Sequence, residues 1–291
     1  MDTYRLGSLT VHRIGFGAMQ LPGTGVMGPP RDHDEAIAVL RRAVELGVDH
    51  IDTAQFYGPD VANELIREAL HPYPENLVLV SKVGALRDEA GSWLPGQRPD
   101  QLRAAVEDNL QTLGTERLGA VNLRLVDHPL PGQDPVPLED QLAEMVALRE
   151  EGKIAGIGIS TATASQVRQA IETAGIVCVQ NAFSLLDQSD AEVLDLCDAE
   201  GIAYVPYFPL GSAFPGMPKV SDNPAVRAVA ARLGATPAQI GLAWLLAHRA
   251  NILLIPGTSR LSHLEENMAI GNVRLSAEDI AELEAGVQGQ E

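Results

Sequence analysis

The sequence predicts an α/β protein in which eight parallel strands close into a (β/α)8 barrel (TIM barrel), a single domain over residues 1–291. Three observations predict this fold. Eight short apolar runs are each followed by a segment with helical periodicity. The runs are apolar almost throughout, which indicates strands covered on both faces, as in a parallel sheet. The turn after the first run reads GFGAMQ and lacks the glycine spacing of an open nucleotide-binding sheet.

The strands are predicted where apolar runs lie between polar or loop-forming residues. Their ranges are 13–16, 48–51, 77–80, 121–126, 157–159, 176–179, 202–205 and 252–255. Between them, apolar residues recur at i, i+3 and i+4, as amphipathic helices require. The long loops 21–30, 130–137 and 208–218 are rich in proline and glycine. We expect these loops over the C-terminal face, where barrel enzymes carry their active sites.

The composition is typical of a globular protein, with 45% hydrophobic and 21% charged residues. The formal net charge of −18 argues against a nucleic-acid partner. No apolar run approaches the roughly 18 residues of a membrane span, and no secretory signal is visible, so no membrane partner is expected. Cys178 and Cys197 have neither a metal-binding nor a redox spacing. We therefore expect reduced core cysteines, no metal site and a cytoplasmic protein, with the oligomeric state left open.

An acid, a phenol and an amine come at the ends of two successive predicted strands. Asp52 follows the second strand, Tyr57 lies in the loop after it, and Lys82 ends the third. Since the carboxyl ends of barrel strands meet at one face, we expect these three side chains to lie together. A phenol has an ordinary pKa of about 10, which a neighbouring ammonium group lowers. The set suits proton transfer to a carbonyl oxygen while hydride reaches the carbon. The alternative is a buried Asp–Lys pair with Tyr57 as packing.

This pattern resembles the aldo-keto reductases, and the resemblance covers essentially the whole chain. The family motif is Asp-Thr-Ala with a tyrosine five residues after the aspartate, and a lysine at the end of the next strand. The resemblance implies that Tyr57 is the proton donor, that Lys82 lowers the pKa of Tyr57, and that Asp52 holds Lys82. It also implies that NADPH reduces a small-molecule aldehyde and leaves as NADP+.

The resemblance is incomplete at the end of the fourth strand. The family has a histidine there in a motif that ends in proline, whereas this chain reads NLRLVDHP over residues 122–129. Aligned on the proline, Asp127 takes the place of the histidine and His128 comes one residue later. An ionised Asp127 beside Tyr57 would raise the pKa of the phenol. His128, Asp127, Arg124 and a main-chain group remain alternatives for orienting the carbonyl, and an ordinary surface position remains open for His128.

The resemblance also implies a nicotinamide site at the ends of the fifth, sixth and seventh strands. The matching residues are Ser160, Gln180, Asn181, Tyr207, Pro209, Leu210 and Gly211. In the family, the first three positions hold the carboxamide of the nicotinamide. Tyr207 matches the aromatic ring that stacks beneath the nicotinamide, and the alternative for Tyr207 is a core aromatic residue.

A loop of small and hydroxyl residues follows the eighth strand and leads into a helix. The candidate cofactor residues here are Gly257, Thr258, Ser259, Arg260, Glu266 and Asn267. Such a loop binds phosphate through main-chain N–H groups, hydroxyls and the helix N-terminus. The planar guanidinium of Arg260 suits the 2′-phosphate of NADPH, with a solvated surface charge as the alternative. Glu266 and Asn267 match the family pair that reaches the adenine. Many family members carry lysine in place of Gly257, a departure that bears on the choice between NADPH and NADH.

Several stretches resemble one subgroup of the family, the bacterial NADPH-dependent pyridoxal reductases. They are residues 15–21, 28–32, 92–95, 121–124 and 251–259. This resemblance implies reduction of pyridoxal to pyridoxine, and the candidate ring contacts are Met19, Phe56, Trp93 and Phe208. Loop packing is the alternative for Trp93. Two other functions remain open: a broader reductase of sugar or xenobiotic aldehydes and ketones, and an NADPH-binding regulatory subunit with little turnover.

Overall fold

Strands and helices alternate along most of the chain. The structure, a computed structural model, describes residues 2–126, 135–211 and 218–288. The strands in these ranges are β1 (Thr3–Leu6), β2 (Leu9–His12), β3 (Phe16–Gly17), β4 (His50–Asp52), β5 (Val78–Arg87), β6 (Trp93–Gly96), β7 (Ala120–Arg124), β8 (Ile157–Ser160), β9 (Cys178–Gln180) and β10 (Ala203–Tyr204). The predicted loops 130–137 and 208–218 lie partly outside the described residues.

Parallel pairing joins seven of these strands side by side in the order β3, β4, β5, β7, β8, β9, β10. Residues 252–254 complete the ring, because Ile252 bridges to Tyr204 of β10 and Leu254 bridges to Ile14 beside β3. At that junction the Gly15 N–H donates to the Leu254 carbonyl over 2.8 Å. All eight predicted segments lie in the ring: seven contain strands, and the eighth, residues 252–255, joins it through single bridges, so the predicted (β/α)8 barrel is confirmed.

Two hairpins were not predicted. β1 and β2 pair antiparallel at the N-terminus. β5 continues from Lys82 to Arg87, past the predicted end of the strand, and pairs antiparallel with β6. The apolar run in the sequence predicted only the part of β5 that lies inside the barrel. Beyond the barrel, the strand is held by its hairpin partner instead of by a parallel neighbour.

The helices form the outer layer. They are α1 (His33–Glu45), α2 (Val61–Leu70), α3 (Pro99–Leu113), α4 (Leu138–Glu150), α5 (Ala164–Ala174), α6 (Ala191–Ala199), α7 (Pro224–Leu233), α8 (Pro237–His248), α9 (Leu261–Met268) and α10 (Ala277–Gln288). Gly114 ends α3 with φ of 66°, in the left-handed conformation that glycine adopts without strain. Within the described ranges, no helix has the length and apolar character needed to cross a membrane.

The apolar core has two parts. The larger part lies between the strands and the helices, and the smaller part fills the barrel interior. Leu6 and Val11 of the first hairpin belong to the interior part, so the hairpin closes the N-terminal end of the barrel. Nearer the C-terminal face the interior becomes polar. Its buried residues there are His50, Asp52, Lys82, Asn122 and Gln180.

Glycines make room for these interior side chains. A Cβ at Gly158 would lie 2.1 Å from Asn122 Oδ1, and a Cβ at Gly15 would lie 2.2 Å from His50 Nε2. Real Cβ atoms do not approach other atoms so closely, so neither position accepts alanine without movement. The glycines therefore allow the barrel to carry polar groups below its mouth.

Candidate active site

The structure brings Asp52, Tyr57 and Lys82 together, as predicted. Asp52 is the last residue of β4, Lys82 lies on the neighbouring strand β5, and Tyr57 lies in the turn that leads into α2. The ammonium of Lys82 donates hydrogen bonds to Asp52 Oδ1 and, over 3.0 Å, to the Thr53 carbonyl. The same nitrogen lies 5.1 Å from the centre of the Tyr57 ring. All three side chains are buried, so their charges interact with little screening by water.

Burial and neighbouring charges act on the Tyr57 phenol in opposite directions. Burial raises the pKa of Tyr57, and Lys82 acts against this by lowering it. Asp52 also raises the pKa, Arg124 lowers it slightly, and the net pKa is above the ordinary value. Lys82 therefore acts in the predicted direction, but removal from water outweighs it. For Lys82 itself, burial lowers the pKa, but Asp52 and Tyr57 raise it by more than burial lowers it. The net pKa lies above the ordinary value, so the amine stays charged at neutral pH.

Gln180, at the end of β9, holds the second oxygen of Asp52. Its Nε2 donates to Asp52 Oδ2 over 3.0 Å. Lys82 occupies the first oxygen, so Asp52 connects three strands of the barrel. Sequence reasoning assigned Gln180 to the nicotinamide and missed this contact. The two residues are 128 positions apart, and only the strand register brings them together.

Asn181 and Ser160, the other two residues predicted to hold the nicotinamide carboxamide, make different contacts from Gln180. Asn181 Oδ1 accepts from the Ala162 N–H over 3.1 Å, and its Nδ2 donates to the Ala162 carbonyl and to Asp190 Oδ2. The side chain of Asn181 thus ties together the loops after β8 and β9. Ser160 is buried at the end of β8, in register with Gln180.

A cavity of about 500 Å³ extends from Tyr57 and Lys82 to α9. Most of the predicted cofactor residues line it. These are Gln180, Tyr207, Pro209, Leu210, Gly211, Gly257, Thr258, Glu266 and Asn267. Ser259 and Arg260 line a neighbouring cavity of about 680 Å³ instead. Met19 and Phe208 line both cavities.

The loop after the eighth strand explains the missing lysine at position 257. A Cβ at Gly257 would lie 2.4 Å from the carbonyl oxygen of Gly17 in β3. The two backbones are therefore too close for any side chain at this position. One residue later, Thr258 is buried, and its Oγ1 accepts from the Arg260 N–H over 3.1 Å just before α9 begins.

His263 also lines the cavity beside Glu266 and Asn267, and sequence reasoning missed it. It precedes Glu266 by three residues and Asn267 by four in α9. Residues at these spacings share one face of a helix. That spacing was the signal that could have identified His263.

The predicted ring contacts Phe56 and Trp93 extend the site outward from Tyr57. Phe56 packs edge-on against Tyr57, with ring centres 5.4 Å apart, and against Trp93, at 5.3 Å. Trp93, on β6, is 42% exposed and lines the neighbouring cavity of about 680 Å³, the larger of the two. The guanidinium of Arg124, the last residue of β7, lies 5.2 Å from the centre of the Trp93 ring. Asp127 and His128, the candidates that follow Arg124, lie outside the described residues.

Comparisons with known proteins identify the family of this chain. The model of the Aldo/keto reductase family matches residues 13–287. The chain is 47% identical to pyridoxine 4-dehydrogenase of Escherichia coli (strain K12), with 97% of each chain covered. It is 36% identical to an uncharacterised oxidoreductase of Schizosaccharomyces pombe, over 97% of this chain and 89% of that protein.

A solved structure gives the same result for the fold. The aldo/keto reductase from Klebsiella pneumoniae, crystallised in complex with NADP and acetate, superposes with a TM-score of 0.81. The two sequences are 26% identical, and the match covers 97% of this chain and 94% of that chain. From the family match, the relatives and the shared barrel, we conclude that this chain belongs to the aldo/keto reductase family of oxidoreductases.

Proposed function

We propose that the protein uses NADPH to reduce an aldehyde to a primary alcohol, and that pyridoxal, reduced to pyridoxine, is its substrate. The observation that carries this proposal is the buried Asp52–Lys82–Tyr57 set at one part of a long cavity lined by the predicted cofactor residues. The 47% identity to a pyridoxine 4-dehydrogenase supports the substrate. Dehydrogenation of pyridoxine is the reverse of this reduction.

The residues around the cavity fit a nicotinamide dinucleotide. The half-buried ring of Tyr207 offers an aromatic surface for the nicotinamide, next to Gln180. Main-chain N–H groups and hydroxyls of residues 257–259 suit a phosphate at the start of α9, and Arg260 suits the 2′-phosphate. Glu266 and Asn267 would hold the adenine. When bound there, NADPH supplies the hydride.

Tyr57 is proposed as the proton donor. Because burial raises its pKa, the phenol is protonated across the neutral range and can act as an acid. When the proton leaves, the ammonium of Lys82 stabilises the phenolate, and Asp52 keeps Lys82 in position. His128 and Asp127 remain candidates to orient the carbonyl oxygen opposite Tyr57.

Substitution of Tyr57 by Phe tests this mechanism. With pyridoxal and NADPH, we expect kcat to fall by about 100-fold to 10,000-fold, as for the loss of a general acid. Affinity for NADPH should be unchanged, since the phenol hydroxyl is not needed to hold the dinucleotide. Turnover is followed at the absorbance band of reduced nicotinamide, and binding by the quenching of tryptophan fluorescence.

Tyr73→Phe is the matched control. The Tyr73 hydroxyl donates to the Leu113 carbonyl over 2.6 Å, between α2 and the end of α3, away from the cavity. This variant should keep the wild-type rate. A Tyr57→Phe enzyme with a near wild-type rate would refute the assignment of the proton donor.

A broader reductase of aldehydes is the second candidate, and the larger cavity favours it. That cavity has a volume of about 680 Å³ and is partly lined by apolar residues such as Met19, Trp93 and Phe208. A panel of sugar, aliphatic and aromatic aldehydes separates the two functions. A pyridoxal reductase should give its highest kcat/KM with pyridoxal, whereas a broad reductase should give similar values across the panel.

A further inference from the structure

Arg124 lies on the inward face of β7, one layer nearer the barrel mouth than Lys82. Successive residues of a strand face opposite sides. Ala120 belongs to the interior core and Asn122 lines a small interior cavity, so Arg124, two residues on, shares their face. Lys82 is in register with Asn122. Arg124 therefore stands above the layer that contains Lys82.

The strand register also places Arg124 next to the proposed nicotinamide site. Arg124 is paired with Ser160 of β8, and Ser160 is paired with Gln180 of β9. On its other side, the backbone of Arg124 packs against Gly84 of β5, where a Cβ would lie 2.4 Å from the Arg124 carbonyl oxygen. Arg124 thus lies between the strand of the proposed acid and the strands of the proposed hydride donor site.

The guanidinium of Arg124 has no acceptor among the described residues. It rests on the Trp93 ring at 5.2 Å, and Trp93 packs on Phe56, which packs on Tyr57. Arg87, which lies 4.2 Å from the centre of the same ring, donates from Nη2 to the Gly25 carbonyl over 3.2 Å, and its Nε and Nη1 are buried without a partner among the described residues. Within the described ranges, no hydrogen bond or ion pair uses the Arg124 guanidinium. It is half-buried, and its charge acts to lower the pKa of Tyr57.

A partly buried cation without an acceptor is costly, and a planar guanidinium binds two coplanar oxygens best. An aromatic aldehyde with a hydroxyl on the neighbouring ring carbon presents two such oxygens, and the hydroxyl oxygen carries negative charge when ionised. We propose that Arg124 binds the ionised ortho-hydroxyl group of the substrate and thereby selects ortho-hydroxyaryl aldehydes. Pyridoxal belongs to this class. The proposal rests on the proposed aldehyde reductase function and names its substrate class.

The test compares two isomers of equal size, 2-hydroxybenzaldehyde and 3-hydroxybenzaldehyde, with NADPH. For the wild-type enzyme we expect kcat/KM to favour the ortho isomer by about tenfold or more, the value of one charge-assisted hydrogen bond. This preference should grow with pH as the ortho-hydroxyl ionises. In Arg124→Met the preference for the ortho isomer and the pH dependence of that preference should both disappear. Arg124→Lys, which keeps the charge but loses the planar fork, should retain part of the preference.

Arg87→Met is the matched control, because it removes the other guanidinium from the Trp93 ring. It should keep the ortho preference. An equal preference in wild type and Arg124→Met would overturn the proposal, and so would an equal loss in Arg87→Met and Arg124→Met, which would assign the effect to the position of Trp93. Circular dichroism and NADPH titration confirm that each variant is folded.

Binding of the two isomers to the NADP+ complex, followed by tryptophan fluorescence, separates this proposal from the proposed function. NADP+ cannot donate hydride, so the ratio of the two Kd values does not depend on turnover. If neither isomer is reduced but the ortho isomer binds more tightly in an Arg124-dependent manner, the reductase function fails and the binding role of Arg124 stands. Turnover of both isomers with equal Kd values would overturn the role of Arg124 alone.

Discussion

At the scale of single residues, Asp52 determines the geometry of the site. Its two oxygens accept from Lys82 and Gln180, which come from β5 and β9. The carboxylate and the ammonium are both buried and form an ion pair with each other. Removal of one partner leaves the other charge buried and unpaired. The resulting loss of stability is larger than the net stabilisation that the intact pair provides.

Asp52→Ala should therefore lower the free energy of unfolding by about 3–5 kcal/mol. The double variant Asp52→Ala/Lys82→Met should lose less than Asp52→Ala alone, because the isolated charge is gone. Glu107→Gln, which breaks the partly exposed Lys153–Glu107 pair of 2.6 Å, is the control and should cost less than about 1 kcal/mol. Urea unfolding measures all three. Wild-type stability in Asp52→Ala would contradict this account.

The sequence predicted Asp52, Tyr57 and Lys82 because each stands at or near the end of a predicted strand. It did not predict the Gln180–Asp52 contact or the position of Arg260 in the neighbouring cavity. Both depend on where a side chain points after the fold has formed, and residue type does not determine that direction. The raised pKa of Tyr57 was likewise not predictable, because it depends on how completely the packed loops exclude water.

At the scale of elements, helix starts position the loops around the cavity. α5 and α8 each begin with a capping box in which a threonine accepts from the third helical N–H. Thr163 caps α5 on the outer surface. Thr236 caps α8, and its hydroxyl also donates to Glu266 Oε1 over 2.5 Å. The second cap therefore connects the start of α8 to the proposed adenine residue on α9.

These two caps give a matched pair of variants. Thr163→Ala and Thr236→Ala should each lower the free energy of unfolding by about 1 kcal/mol, the usual value of a lost N-cap. Only Thr236→Ala should also weaken NADPH binding, because Glu266 loses its hydroxyl partner. Urea unfolding and fluorescence titration with NADPH measure the two effects. An equal change in NADPH affinity for both variants would show that Thr236 acts only through the stability of its helix.

The elements were largely predictable, because apolar periodicity identified all eight barrel strands. The hairpin of β5 and β6 was not. Trp93 and Arg87 are paired in that hairpin, outside the barrel, where no apolar run indicates a strand. The periodic apolar pattern in a sequence reflects burial of one face of an element. Strands that lie over the mouth of the barrel therefore show this pattern more weakly than strands inside it.

At the scale of the whole molecule, burial of weak acids makes stability depend on pH. Burial raises the pKa of Tyr73 and of the Cys178 thiol to about 12 in each case, and it also raises the pKa of Tyr57 and Tyr204. In the unfolded chain these groups lose their protons near their ordinary pKa values of about 8.5 for cysteine and 10 for tyrosine. The folded protein then holds more protons than the unfolded chain, so its stability falls as pH rises.

The free energy of unfolding should accordingly stay nearly constant near neutral pH, decrease above about pH 9, and decrease more steeply above about pH 10. The raised pKa of Lys82 acts in the same direction, since its stabilising charge is fully present at lower pH and is lost as pH rises through the folded pKa. Urea unfolding across this range, together with tyrosinate absorbance, provides the measurement. Tyrosinate absorbance from most tyrosines in a protein that is still folded would contradict the prediction.

The closed barrel was predictable from the count of strand–helix units, but the plug formed by the first hairpin was not. Leu6 and Val11 fill the end of the barrel opposite the proposed active site. We therefore expect cofactor, aldehyde and alcohol to enter and leave on the opposite side of the barrel, at the C-terminal face where barrel enzymes carry their active sites. If one of these molecules binds on the inner side of the other, it enters first and leaves last, so closure of the far end by this hairpin favours an ordered sequence of binding and release.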